Sequence, residues 1–283
     1  MDRSRTQLIE RSKKKAERLR ALHQPGNPVI FVNVWDAASA RIVEEIGFPA
    51  IATTSAGIAW AQGFADGECI SRECMLAGVA CIAGAVNVPV TADLERGYGA
   101  SIEDAVATAH GAIEAGAAGM NFEDWDGAHR TLFDVRWQAE RIAAIRKHAA
   151  DAGVPLVINA RTDVFLESVG ESAVWRLDEA VGRGNEYLRA GADCVFVPGV
   201  SDEQTIASLA EQIGGPINIL ANASSPSVSR LAKLRVARIS VGSAGASYAL
   251  ALFRQFAKRI QNDGSFELIG TRIPHAEVNA LFE

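Results

Sequence analysis

Short, β-branched apolar runs alternate with longer segments of helical period along most of the chain. Eight runs read as strands: 29–34 (VIFVNV), 50–54 (AIATT), 88–93 (VPVTAD), 118–123 (AGMNFE), 155–160 (PLVINA), 194–198 (CVFVP), 217–221 (INILA) and 237–242 (ARISVG). They are apolar at successive positions rather than alternate ones, as parallel strands buried on both faces are. Helices are predicted between and after them, at about 36–46, 71–86, 101–115, 134–152, 171–190, 202–213, 226–234 and 244–261. Ser71 and Ser101 stand where N-caps belong, and the phrases EAGAAGMNF and RAGADCVFV repeat a helix end, a glycine stop and the next strand.

Eight strand–helix units in about 250 residues predict a (β/α)8 TIM barrel. An open doubly wound sheet ranks second, because no G-x-G-x-x-G follows the first strand. No linker divides the chain, so residues 1–283 read as one barrel domain with an N-terminal helix at 3–22 and a final helix at 244–262. Leu8, Ala16, Leu19 and Leu22 give the first helix a weak apolar face. The last carries Leu250, Leu252, Phe253, Phe256 and Ile260, more than a barrel needs to cap itself, and is expected to pack on a neighbouring subunit. The segments 63–68 and 128–131 read as the long loops.

Composition narrows the function. At 48% hydrophobic and 22% charged residues the chain fits a soluble globular protein. A net charge of −6 argues against nucleic acid. No apolar run approaches the ~20 residues of a membrane span, and the charged N-terminus lacks the core of a secretory signal. Lys13–Lys15 read as a solvated helix face. Cys69, Cys74, Cys81 and Cys194 form no C-x-x-C pair, so reduced thiols and a cytoplasmic location are expected.

In a barrel of this kind the chemistry sits where strands end. Asp36 follows the first run, Thr54 and Ser55 the second with Asp66 beyond, and Asp93 and Glu95 end the third. Glu123 and Asp124 end the fourth, Arg161 and Asp163 the fifth, Asn222 the seventh and Ser243 the eighth. Asp93 and Glu95, two apart on extended chain, are expected to face one place, where like charges call for a cation or a proton. Gly97 and Gly99 flank Tyr98 in a turn that allows close backbone approach. Oxygen ligands without a His or Cys cluster suit Mg²⁺ or Mn²⁺. Arg161 can hold a carboxylate or phosphonate by two points. The 54–57 turn offers hydroxyls and backbone N–H groups to an anion. Metal, arginine and anion-binding turn together point to chemistry on a small dianion.

The segment TADLERGYG (91–99) resembles the D-x-D-x-G-Y-G signature of the isocitrate lyase / phosphoenolpyruvate mutase superfamily. The resemblance continues through VNVWDAASARIVEEIGFPAI, TTSAG, GFADGECISRECML, GMNFED, INARTD and ARISVG, covering about residues 28–260. It implies a (β/α)8 barrel that binds Mg²⁺ and an α-oxo acid or its enolate. It also implies a tetramer whose last helix is exchanged between paired subunits. By that likeness Asp93 contacts the metal directly, Glu95 and Glu123 hold it through water, and Asp66 is an acid of the loop after the second strand. Thr54 and Ser55 bind the oxo-acid carboxylate, Arg161 binds substrate, and Asn222 lies near a polar substrate-binding position. Arg161, Glu123 and Asp66 are then the catalytic set.

Two departures stand out. Glu95 replaces the usual second Asp, and the Lys-Arg-Cys-Gly-His loop of isocitrate and methylisocitrate lyases is here Trp125–Arg130 (WDGAHR), without a cysteine. The expected function is a Mg²⁺-dependent carbon–carbon lyase acting on a small α-oxo or 2-hydroxy dicarboxylate through a metal-stabilised enolate. His129 or a water near Glu123 are its candidate proton carriers. Oxaloacetate-type decarboxylation or P–C bond chemistry is the alternative, and a non-catalytic barrel the outside one.

Overall fold

The computed structural model describes residues 3–283, with side chains from Ile9 onward, so Leu8 lies outside the described side chains. Helix α1 (Arg3–Ala21) precedes a parallel sheet of β1 (Val29–Phe31), β2 (Asn33–Val34), β3 (Ile51–Thr53), β4 (Val90–Asp93) and β5 (Gly119–Glu123). A small hairpin, β6 (Trp125–Asp126) and β7 (Thr131–Leu132), follows. The sheet resumes with β8 (Val157–Arg161), β9 (Cys194–Phe196), β10 (Ile217–Leu220) and β11 (Arg238–Ser240). Its strand order is β1-β11-β10-β9-β8-β5-β4-β3-β2. Both ends of that order belong to the first predicted strand: β1 pairs with β11, and β2, one residue later, pairs with β3. A single strand broken at Val32 thus joins the two edges, and the fold is the expected TIM-like barrel.

The outer layer is α2 (Ala37–Glu45), α3 (Ser55–Ala61), α4 (Arg72–Ala85), α5 (Ile102–Glu114), α6 (Val135–Asp151), α7 (Ala173–Arg189), α8 (Glu203–Gln212), α9 (Val228–Lys233) and α10 (Ala244–Asp263). A 3-10 turn (Glu267–Thr271) and α11 (His275–Ala280) end the chain. Ser, Thr or Asp caps the start of most of these helices. Asp36, Ser71, Ser101, Ser172 and Asp202 each accept the N–H three residues on, satisfying donors a helix cannot pair internally.

Helix α1 packs against the sheet by the face its sequence suggests: Ala16 and Leu19 are fully buried. Gly119 of β5 makes the room, since a Cβ there would lie 2.8 Å from Leu19 Cδ2 and from the Val157 carbonyl. Two features were not foreseen. The TTSAG segment, read as a turn, opens α3, and the 128–131 loop is the tip of the β6–β7 hairpin. Both are too short to carry a periodic hydrophobic signal.

Candidate active site

Parallel register brings the predicted acids together at the strand ends. Asp93 pairs across from Asn121, and Glu123 across from Arg161. One oxygen of Asp93 accepts the Ser55 N–H at 3.1 Å and the Ser55 hydroxyl at 3.0 Å. The other accepts the Asn121 amide at 3.3 Å. Ser55 Oγ is also 3.5 Å from Asp66 Oδ1, so one hydroxyl stands between two carboxylates. Thr54 caps α3, its oxygen accepting the Gly57 N–H at 3.4 Å. Of the donors expected on 54–57, the Ser55 N–H and hydroxyl and the Gly57 N–H are thus engaged within the chain. Because the segment is helical, its first N–H groups need acceptors, and Asp93 supplies one for Ser55 and Thr54 one for Gly57.

Glu95 reaches the same place by a route other than strand alternation. The strand stops at Asp93, and Glu95 (φ +50°) begins a left-handed turn that continues through Gly97 (+95°), Tyr98 (+57°) and Gly99 (+151°). Left-handed backbone at two side-chain-bearing residues is costly and marks functional loops. The turn is held from behind: the buried Arg141 donates to the carbonyls of Arg96 at 2.5 Å and Gly99 at 2.8 Å. Glycine at 97 is required by contact as well as φ, because a Cβ would lie 2.8 Å from the Phe122 ring. Arg96 leaves the turn sideways and pairs with Glu68 at 2.8 Å and Asp126 at 2.5 Å, joining the loops after β3 and β5.

Burial and mutual repulsion govern the acids. Burial, then Asp93, Asp66 and Glu68, push the Glu95 carboxyl up to about 8. Burial and Asp93 raise Asp66. Glu123 stays well above the ordinary carboxylate range because burial outweighs the neighbouring Arg161. Arg161 Nη1 is 2.7 Å from Glu123 Oε2, while Nε and Nη2 grip Asp163 at 2.6 and 2.9 Å. Burial opposes the guanidinium charge, but Asp163 and Glu123 outweigh it and fix Arg161 as a cation. Its fork lies between two carboxylates, where a substrate carboxylate would compete for it.

Asp66, Asp93, Glu95, Glu123 and Arg161 thus form one electrostatic neighbourhood, with Ser55 in it. Asn222 does not join them: it is exposed, and its Oδ1 accepts the Ser224 N–H within its own loop at 2.8 Å. His129 is largely exposed on the hairpin tip, its Nδ1 2.6 Å from Asp126 Oδ2. Sequence reasoning missed Asn121, Arg96 and Glu68. Asn121 was legible in principle, being two residues before Glu123 on the same strand face.

The family model for phosphoenolpyruvate phosphomutase matches residues 19–261. The chain belongs to that family. Phosphoenolpyruvate phosphomutase of Streptomyces hygroscopicus is 30% identical over 276 residues, covering 93% of this chain and 85% of that protein. The 2-methylisocitrate lyase of Escherichia coli K12 is 29% identical over 253 residues, covering 83% and 81%. A solved structure from Burkholderia cenocepacia J2315 superposes with a TM-score of 0.88 at 36% identity, covering 96% of this chain and 97% of the other. This phosphomutase-family chain is accordingly an enzyme of the phosphoenolpyruvate mutase / isocitrate lyase superfamily, whose named relatives are lyases and mutases.

The site of this family member fits a hard divalent cation. Its donors are oxygens alone, and burial together with Asp93 raises the proton affinity of Asp66 and Glu95, a field that a cation would relieve. Among the described residues no three His, Cys, Asp or Glu side chains converge closely enough to hold an ion by themselves. A titration follows from the sign of the Glu95 shift. Its carboxyl is protonated in the folded apo protein and ionised in the unfolded chain between about pH 4.5 and 8, so its contribution to stability is lost as pH rises across that window. The melting temperature of the metal-free protein should fall by about 5 °C from pH 6 to pH 8, and Mg²⁺ should raise it more at pH 8. Calorimetry showing a Mg²⁺ effect larger at pH 6 would contradict this.

Proposed function

We propose that the protein is a Mg²⁺-dependent carbon–carbon lyase acting on a small α-oxo or 2-hydroxy dicarboxylate by way of an enolate such as enolpyruvate. The observation that carries the reading is the meeting of Asp93, Glu95, Asp66 and Glu123 with Arg161 at one end of the barrel. Asp93 would bind the metal directly, with Glu95 and Glu123 orienting its waters; Mn²⁺ suits the same oxygens. When bound, the ion supplies positive charge that steadies the developing enolate. Arg161 holds a substrate carboxylate in two-point contact, displacing part of its grip on Glu123 and Asp163. A carboxyl of raised proton affinity at Glu123 or Asp66 is suited to carry a proton in the reaction. Ser55 N–H and Oγ would turn from Asp93 to the oxo-acid carboxylate.

Decarboxylation of an oxaloacetate-like acid is the second reading. It needs an electron sink and no acid for a departing carbon, which agrees with a 125–130 segment lacking a cysteine. P–C bond chemistry on a phosphonate is the third. A panel of methylisocitrate, oxaloacetate and phosphonopyruvate with Mg²⁺ separates them, by release of a second carboxylic acid, CO₂ or phosphate. Turnover should be lost on chelation and fall at least 100-fold in Asp93→Ala. Metal-independent turnover equal to wild type in that variant would refute the metal role, and no turnover of any of the three compounds by the wild type would leave the non-catalytic barrel.

The final helix supports an oligomer. Along α10, Tyr248, Leu250, Leu252 and Phe253 are exposed and Ala246 alone is buried. A soluble monomer rarely presents such a face, and a second copy exchanging the same helix would cover it, as in a tetramer built from helix-exchanged dimers. Sedimentation should show a dimer or tetramer at micromolar concentration; a monomer would rule out the exchange. Among the described residues no helix is long and apolar enough to cross a membrane. A cytoplasmic location remains part of this proposal, resting on four unpaired cysteines.

A further inference from the structure

One fully buried carboxylate is not used by this chemistry. Asp124 follows Glu123 and, pointing to the opposite face of the strand, enters the layer between sheet and helices. Its Oδ1 accepts the Asp163 N–H at 3.0 Å. Its Oδ2 accepts the Tyr187 hydroxyl at 2.6 Å and Arg183 Nη1 at 3.1 Å, both from α7. Its carbonyl accepts the Phe133 N–H at 2.8 Å, and Arg183 Nη1 donates back to the Phe133 carbonyl at 2.9 Å. Glu179 steadies Arg183 from the next turn at 2.7 Å.

Asp163 is the residue that grips Arg161 by two bonds, and the Asp163 backbone is what Asp124 holds. We propose that Asp124, locked by Arg183 and Tyr187, is a positioning residue: it sets Arg161 for the substrate carboxylate and pins the exit of the β6–β7 hairpin to the same point. This rests on the reading of Arg161 as the substrate arginine. A long side chain free to wander would lose much of its rotamer entropy on binding, and a fork already fixed does not. Helix α7 belongs to the substrate-binding apparatus on this view, although it contributes no atom to the site.

A purely structural triad would lower stability and every ligand affinity together. A positioning role would lower anion affinity while largely sparing the metal, because Asp93, read as its direct ligand, is held by a different strand, and Glu123 reaches the ion only through water. Calorimetric titration of Mg²⁺ alone, then of oxalate in saturating Mg²⁺, separates the two for Asp124→Asn and Tyr187→Phe. The oxalate Kd should rise about tenfold in the first and about threefold in the second, with the Mg²⁺ Kd within twofold of wild type. Unchanged oxalate affinity in folded variants, or a loss matched by an equal loss of Mg²⁺ affinity, would overturn the proposal. If Asp124→Asn does not fold, because Arg183 is left buried without its partner, Tyr187→Phe decides alone. Wild-type protein that binds no oxalate with Mg²⁺ refutes the lyase reading instead, and so is told apart from failure of the positioning role.

Discussion

Negative charge gathered at one end of a low-dielectric barrel is the constraint from which the rest follows. Asp93, Glu95, Asp66 and Glu123 come from separate strands and loops; burial first, and then the charge of Asp93, makes Asp66, Glu95 and Glu123 harder to ionise. A fold keeps such an arrangement only with a counter-charge, a proton or a cation. Arg161 supplies part of the counter-charge, but it is already shared between Glu123 and Asp163. The remaining acids are left with protons or a metal.

The surrounding structure serves to hold that crowding in place. Arg141, buried and stacked on Phe122 and Phe133 at 4.6 and 4.8 Å, trades much of its hydration for two carbonyls of the strained turn that carries Glu95. Burial lowers its pKa to about 10, which still leaves it charged at neutral pH. Arg96 ties that turn to its neighbouring loops. Cationic side chains lie around and behind the acidic site, and carboxylates face its centre.

Much of this was legible in the residues. Runs apolar on both faces gave the strand count, and the barrel rule for strand ends then gathered Asp93, Glu123 and Arg161 from positions far apart in the chain. Spacing alone does not account for the place of Glu95. Its spacing from Asp93 suggested alternation, whereas a left-handed turn delivers it, and a pair of glycines does not reveal that the residues between and before them also adopt positive φ. The short helix α3 has no periodic signal, so the sequence does not reveal that the Ser55 N–H and hydroxyl turn to Asp93 and that the Thr54 oxygen caps the helix. Asn222 could be placed on the rim, but the turn of its amide into its own loop depends on Ser224 and Ser225 and is invisible to pattern. Asp124, Arg183 and Tyr187 escaped notice because their meeting depends on how α7 packs against the sheet, a tertiary fact with no local sequence trace.

A crystal soaked with Mg²⁺ and oxalate tests the central claim most directly. The ion should appear on Asp93, with waters leading to Glu95 and Glu123 and oxalate turned toward Arg161. An ion elsewhere, or oxalate bound without an ion at Asp93, would contradict it.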